Sequence, residues 1–430
     1  MNNKNILYLR TDICSQQISV GGSVGHTLGV IEGLLQQRFK IIVFSSQMQE
    51  ILQVWLGITY NNFFVIPLFF FRWKFNYVRW RLESLFSTFF FFIQVLYKTR
   101  NIHFIYIYQR YSILNFTGVL LSWYKKIPLI LEYNDSEAYW FDVPKNDVWY
   151  RRWFALKKLS YWVEDLNITH AQRIVVVSQA LKDDLAVRGV DHTKILVNPN
   201  GVDEAYFKPE SLMEKREKIR ELYNLHDAFV FGFIGTFGHW HGIEVLEYII
   251  PLICSSNDKA RFLLVGDGSL KAHAQEVLQE YVRQGKVLFT GKIAQDRAPE
   301  YLAACDAFLC PTQPNADGTR FFGSPTKLFE YMSMAKPVIA SDLEQLSEIV
   351  SPAARISNGN FSQIIEEVGI LVDPLDWNQW VQACLGCIQL TQKERILLGD
   401  NARKKVLQQY TWRKHVERII QHYNMGGVTQ

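Results

Sequence analysis

Between Gly318 and Ser341 the chain reads GTRFFGSPTKLFEYMSMAKPVIAS, and its last six residues constrain the fold most. KPVIAS is a short, near-continuous apolar run without inside–outside alternation, the pattern of a parallel strand covered on both faces. The residues before it read as a loop feeding a helix. Ser324 has the chemistry of an N-cap, and Pro325 suits the first helical turn, where its missing N–H would be unpaired anyway. Thr326 to Met334 follows with helical spacing, with Leu328, Met332 and Met334 available to a buried side. Loop, helix start and adjoining strand make a corner suited to anions, because free N–H groups and the helix dipole point at the loop. Glu330 in that helix is either a solvated carboxylate on an exposed face or a group that grips the hydroxyls of a ribose.

The same strand–helix alternation runs through the whole chain, in two series. In the first, strands are expected at Asn5–Leu9, Lys40–Ser45, Ile102–Tyr108, Pro128–Tyr133, Arg173–Val177 and Lys194–Val197, with helices at Ser112–Tyr124 and Val148–Leu166. Gly21 and Gly22 supply a tight turn after the first strand, with His26 near the following helix start. LEYNDSE places Glu132, Asn134, Asp135 and Glu137 at a strand's C-terminal end, the edge where open parallel sheets bind ligands. NPNGVD (Asn198–Asp203) is a turn cluster that closes this series. The second series opens at Ala228–Ile234 with the turn GTFGHWHG, and continues through Gly266-Asp267-Gly268, Thr290-Gly291-Lys292 and the opening stretch. Two such series imply two doubly wound α/β domains facing each other across a cleft. Their expected extents are 1–205 and 206–408, followed by a terminal helical run, 409–430.

A length of 430 residues suits two cores better than one. Hydrophobic residues at 48% and charged residues at 20% describe a globular chain, and a net charge of +4 does not point to nucleic acid. The N-terminus lacks the pattern of a secretory signal, and no stretch has the length of a membrane-spanning helix. Six scattered cysteines do not form a disulfide framework. Cys384 and Cys387 are spaced C-x-x-C inside an amphipathic run with no second pair, so buried helical thiols are expected and a zinc site is not. Residues 67–100 stand apart: Arg72, Lys74, Arg79, Arg81, Lys98 and Arg100 are interleaved with aromatics against the single acidic Glu83. Such a segment fits a helix lying in the interface of an anionic membrane, or else a core helix with a solvated basic edge.

The second-series pieces FGFIGTFGHWHG, FLLVGDGS, VLFTGKI, YLAACDAFLCPT, GSPTKLFEYMSMAKPVIAS and GILVDPLD, in this order, resemble the retaining glycosyltransferases of family 4. GGSVGHTLGVIEGL, YQRYSILNFTG, IPLILEYNDSE and PNGVDEAYFKP are similar to the first half of the same family. The resemblance implies the GT-B fold, with two Rossmann-like domains and a final helix, 409–430 with YTWRKHVERIIQHY, that crosses back onto the first domain. It further implies retaining, metal-independent sugar transfer from a nucleoside-diphosphate sugar to a glycan or lipid-linked acceptor, with no bound cofactor. The implied setting is cell-surface polysaccharide or glycolipid synthesis, and the basic aromatic segment 67–100 leads us to expect it peripherally on the cytoplasmic face of the membrane.

Carried over position by position, the resemblance makes Glu330 the ribose ligand. Gly323, Ser324, Pro325, Thr326 and Lys327 then meet the diphosphate, Gly266 and Gly268 approach the nucleotide, and Lys292 and Ile293 flank the base. Gly22 and Ser23 would close over the diphosphate, and His26, Arg110, Glu132, Asn134 and Asp135 would line the acceptor side. Two departures stand out. Phe322 occupies the first position of the family's paired acidic motif. Thr236 and His241, beside Gly242, replace the usual Arg and Lys of the first turn in the second domain, leaving Arg320 and Lys327 to supply charge. Two other readings fit these residues: a sugar-nucleotide epimerase of the same fold, and a non-catalytic membrane-associated scaffold.

Overall fold

The computed structural model describes residues 5–12, 21–45, 60–62, 76–136, 157–357, 360–361 and 364–425. By contact the chain divides into two units. One takes the chain up to Pro199, apart from Val20–Gly29, together with His415–Gln430; the other comprises Val20–Gly29 and Asn200–Lys414.

The first unit holds β1 (Asn5–Arg10), β2 (Lys40–Ser45), β3 (Tyr60–Asn62), β4 (Tyr106–Arg110), β5 (Leu129–Tyr133), β6 (Arg173–Val176) and β7 (Ile195–Val197). They form one sheet in the order β3-β2-β1-β4-β5-β6-β7, and every pairing is parallel. The order reverses between β1 and β4, the switch point of a doubly wound sheet. One core cluster joins strand residues Leu7, Leu9, Ile107 and Leu129 to Phe91, Val95, Val119 and Val163 from the flanking helices. β4 starts four residues later than the apolar pattern suggests, because its register with β1 runs from Ile6↔Tyr106 to Arg10↔Arg110. The next helix starts at Thr117, not Ser112: the Asn115 side-chain oxygen accepts the Thr117 N–H at 3.1 Å. The long helix expected at Val148–Leu166 is described over Lys157–His170; residues 137–156, with Glu137, lie outside the described residues.

The distinctive 67–100 segment contains the helix Asn76–Lys98. Its basic residues do not all form an outer edge, since Arg81 is buried together with Glu83, Ser84, Ser87 and Thr88. Ser84 Oγ donates to the Ile113 carbonyl at 2.6 Å, so this polar stripe packs inward along with Phe91 and Val95. The aromatic side faces out: Phe86, Phe89, Ile93 and Tyr97 are 53–71% exposed. Arg72 and Lys74 lie outside the described residues. Among the described residues no helix is long and apolar enough to cross a membrane.

The second unit holds β8 (Phe229–Thr236), β9 (Ala260–Asp267), β10 (Val287–Gly291), β11 (Ala307–Cys310) and β12 (Val338–Ser341). After a two-stranded β13 (Ile356–Ser357) and β14 (Asn360–Phe361) comes β15 (Ile370–Val372). The six-stranded sheet runs β10-β9-β8-β11-β12-β15, again parallel throughout, with its switch point between β8 and β11. Along β9, Leu263 and Val265 join the core on one face while Phe262 and Leu264 join that on the other. The unbroken apolar strands follow from this two-sided burial. Leu328, Phe329 and Met332 of the helix Thr326–Ser333 fill the first core; Trp380, Cys384 and Cys387 of the helix Trp377–Gln389 fill the second. Both thiols are free and fully buried, as their spacing predicts, and burial pushes that of Cys387 up to about 12.

The helix Thr326–Ser333 is tied to the end of β8 by one side chain. Tyr331 stacks on Phe308 with ring centroids 4.5 Å apart, and its hydroxyl oxygen accepts the Ile234 N–H at 2.7 Å. Tyr331→Phe keeps the stacking but strips Ile234 of its acceptor. Such a loss costs about 1–2 kcal/mol, expected as a lowered urea midpoint with an unchanged slope in equilibrium unfolding.

Candidate functional site

The site of the second unit lies at the carboxyl ends of β8 and β11, on either side of the switch point. After Thr236 the chain passes through Phe237 and a single 3-10 turn, His239–His241, to Gly242. Gly242 has φ of 71°, and a Cβ there would fall 1.8 Å from the Pro311 carbonyl oxygen. Only glycine lets the β8 loop meet the β11 loop so closely. The two loops are further joined by the Gln313 N–H donating to the Trp240 carbonyl at 3.1 Å. Gly266 and Gly268 have a packing reason of their own: a Cβ on either would collide with the backbone of Gly235 or Phe237.

The helix that carries Lys327 and Glu330 starts one residue later than its spacing suggests. Pro325 takes the N-cap position and makes no side-chain cap bond. Ser324 is therefore not the cap. Its hydroxyl accepts the Asn200 N–H at 3.0 Å, and its carbonyl accepts from Asn200 Nδ2. Asn200 Oδ1 in turn faces His26 Nδ1 at 2.5 Å, and the His26 ring stands edge-on to Trp412 at 5.2 Å. His26 is thus placed beside Asn200 and Ser324, within the second unit. Nearby, the Gly21 N–H donates to Gln295 Oε1 at 3.0 Å, and a Cβ on Gly22 would come within 3.1 Å of Thr326 Oγ1.

Lys327, in the first helical turn, is 7% exposed. Its Nζ lies 3.2 Å from His241 Nδ1 and 4.3 Å from the centroid of the Phe233 ring. A Cβ on Gly235 would sit 2.7 Å from the same nitrogen, so Gly235 makes room for the ammonium. Burial lowers the Lys327 pKa to about 8, against the opposing pull of Cys310 and Glu330. Burial, then Lys327, lowers that of His241 to about 2. Two positive charges at this separation would repel by roughly 5 kcal/mol at an effective dielectric constant near 20. His241 is therefore neutral beside the ammonium. Glu330, just under one turn further along, is pushed up to about 7 by burial, with Lys327 pulling the other way.

The other expected donor-side residues are more open. Thr236 and Lys292 are exposed, and Ile293 packs against the core. Arg320 is exposed on the β11 loop, where its carbonyl accepts from Asn315 Nδ2 at 2.9 Å. Ser23, Gly323 and Phe322 are half-buried. Among the described residues, no three His, Cys, Asp or Glu side chains converge as a metal-ligand set.

In the first unit, sheet register aligns Arg10, Arg110 and Glu132 across the ends of β1, β4 and β5. Arg110 Nη1 donates to Glu132 Oε1 at 3.0 Å, and Asn134 Nδ2 donates to the same oxygen at 2.7 Å. Burial disfavours the Arg110 charge, but Glu132, Tyr8, Asp12 and Asp135 outweigh it and raise its pKa. Sequence reasoning missed Arg10, which is 1% exposed and grips Asp12 through Nε and Nη2 at 2.9 and 3.0 Å. The motif YLRTD could have suggested it, since its Arg and Asp close the first strand.

Two family models match. Glycosyltransferase family 4 matches residues 20–206, and glycosyl transferases group 1 matches residues 228–389. The GPI3 subunit of the phosphatidylinositol N-acetylglucosaminyltransferase of Saccharomyces cerevisiae is 24% identical over 270 residues, covering 61% of this chain and 54% of the relative. The chain thus spans about half the length of that curated relative. Among solved structures, Anabaena HepE in complex with UDP superimposes with a TM-score of 0.66 at 18% identity, over 98% of this chain and 100% of that one. A glycosyltransferase from Rickettsia africae superimposes at 0.69 with 16% identity, over the full length of both chains. With models matching both halves in order and this fold, the chain belongs to the family 4 glycosyltransferases of the GT-B fold.

Proposed function

We propose that this protein is a retaining glycosyltransferase that moves a sugar from a nucleoside-diphosphate sugar to a glycan or lipid-linked acceptor in cell-surface polysaccharide or glycolipid synthesis. The observation that carries this reading is the grouping of Lys327, His241 and Glu330 at the switch-point end of the second sheet. Lys327 and His241 offer a cation and an N–H to a diphosphate, and Glu330 offers a carboxylate to a ribose. The UDP bound to HepE and the lipid substrate named for the yeast relative support the two ends of the reaction.

In such a transfer the bond from the anomeric carbon to the diphosphate oxygen breaks, and negative charge collects on the leaving group. Preorganised donors aimed at that charge lower the barrier most. Lys327 and the start of its helix supply them, so the reaction needs no metal. The acceptor hydroxyl attacks the same face of the sugar and gives its proton to the departing phosphate, which retains the anomeric configuration without a protein nucleophile. Arg110, Glu132, Asn134 and Asp135 hold the acceptor.

The exposed aromatic side of Asn76–Lys98 is the membrane-facing surface. Trp123 and Tyr124 extend it, 76% and 69% exposed, and the Phe92 ring packs edge-on to Tyr124 at 5.9 Å. Lys98, Arg100 and Lys126 are exposed around it. Rings at headgroup depth with flanking cations suit an anionic lipid surface, which supports a peripheral enzyme on the cytoplasmic side of the membrane.

The pocket is tested by a thermal-shift panel of uridine, guanosine, adenosine and thymidine diphosphates. One of them is expected to raise the melting temperature in wild type and to fail in Glu330→Gln. Affinity for that nucleotide should peak between about pH 7 and pH 8. Below this window Glu330 takes up a proton, and above it Lys327 loses one; inorganic pyrophosphate should show only the upper limb. An affinity that is flat with pH would refute both assignments. With the donor sugar and an acceptor, product of retained configuration is expected in the presence of a chelator, whereas conversion of donor alone would mark an epimerase. On liposomes, co-sedimentation should rise with the anionic lipid fraction and fall several-fold in Phe89→Ser/Tyr97→Ser.

A further inference from the structure

The Lys327–His241 contact has a direction fixed by chemistry, and its consequence rests on reading this site as a diphosphate pocket. An ammonium carries three protons and no lone pair, so at 3.2 Å Lys327 Nζ can only donate, and His241 Nδ1 must accept. A neutral imidazole whose Nδ1 accepts carries its proton on Nε2. The ammonium has little freedom to turn away. The Phe233 ring lies 4.3 Å from it, and the ammonium fills the space that the missing side chain of Gly235 leaves. The other ionisable groups acting on it are Glu330 of its own helix and Cys310 of β11; that acting on His241 is Lys327 itself.

We propose that Lys327 is a positioning residue, which by donating to Nδ1 of His241 holds the imidazole as the neutral tautomer protonated at Nε2, so that a phosphate oxygen meets one fixed N–H donor. The single buried charge then acts twice: directly as a cation, and through the ring as the device that aims a neutral donor. A histidine free to exchange tautomers would present a lone pair to the anion for part of the time, and repel it. Burial and the neighbouring ammonium keep His241 from charging as pH falls through the ordinary histidine range. As pH rises past about 8 the Lys327 amine becomes neutral, gains a lone pair, and can accept from Nδ1–H as well as donate. The lock is therefore closed below that pH and opens above it.

Histidine-selective 15N labelling of the full chain, with side-chain correlation spectra of the ligand-free protein, reads the tautomer without any substrate. The His241 signals are assigned by their loss in His241→Gln. At about pH 6.5, a value near the ordinary histidine pKa, wild type should show His241 protonated at Nε2 and bare at Nδ1, unchanged over about a unit on either side. Mixed tautomers should grow in above about pH 8. In Lys327→Met the lock should be lost already at the lower pH. An Nδ1-protonated or doubly protonated ring in wild type would overturn the proposal, as would an unaltered tautomer in a folded Lys327→Met. The pH series on wild type decides the matter even if that variant does not fold.

UDP titration by calorimetry gives the second arm. His241→Asn, which loses the Nε2 donor, should bind about ten-fold or more weakly, as for one lost hydrogen bond to a charged group. His241→Gln, whose amide nitrogen can take the Nε2 place, should recover most of the affinity; equal loss in the two variants would count against the Nε2 assignment. Absence of UDP binding in wild type, with the tautomer as stated, would sink the uridine-diphosphate reading and leave the lock standing.

Discussion

A buried ammonium is the constraint on which the donor site turns. Lys327 is desolvated by the first turn of its own helix, the end of β8 and the aromatic face of Phe233, yet no carboxylate bonds to it directly in the described contacts. Its nearest polar neighbour is a neutral histidine ring. A charge held this way is depressed in pKa and poorly satisfied, which makes it responsive to an incoming anion. The glycines around it serve the same end. Gly235 leaves space for the Nζ, and Gly242 lets the two switch-point loops touch, so the site is shaped by backbone before any ligand arrives.

The two units handle charge in opposite ways. At the end of the first sheet, Arg10 grips Asp12 and Arg110 grips Glu132, so each cation already has a carboxylate partner. Pairs matched in this way pull on an anion less than an unpaired cation would. At the end of the second sheet Lys327 has no salt bridge among the described residues, which suits a diphosphate. The reaction proposed above uses this difference, with the acceptor at the first sheet and the donor at the second. Register produces it, because parallel pairing lines up Arg10, Arg110 and Glu132 on neighbouring strands.

The helix Asn76–Lys98 shows how composition misleads about faces. Its basic and aromatic residues fit a membrane-interface helix or a core helix with a solvated basic edge, and in the fold Arg81 turns inward beside Glu83 while Phe86, Phe89, Ile93 and Tyr97 turn outward. The inward polar stripe finds backbone partners around Ile113 and Leu114, and hydroxyls at Ser84 and Thr88 can reach them where larger rings could not. The resulting surface is aromatic first and basic only at its margin.

Much was legible in the chain before folding. Unbroken apolar strands alternating with helical runs dictate parallel sheets buried on both faces, and the positions of β2, β5 and β12 follow closely from those runs. The C-x-x-C spacing inside a helix correctly meant buried thiols. Local pattern also placed Lys327 and Glu330 on one short helix at a strand's end. What it could not supply are contacts between residues far apart in sequence. His241 and Lys327 are separated by 86 residues, and His26 and Asn200 by 174. The hydroxyl of Ser324 has the same chemistry as a helix cap or as a partner for Asn200, and only the fold chose between them. Sequence determined the periodicities and the kinds of groups available, because these are local properties of the chain. Tertiary structure decided which lysine lies beside which histidine and which face of a helix meets water, because sheet register and loop packing bring those groups together.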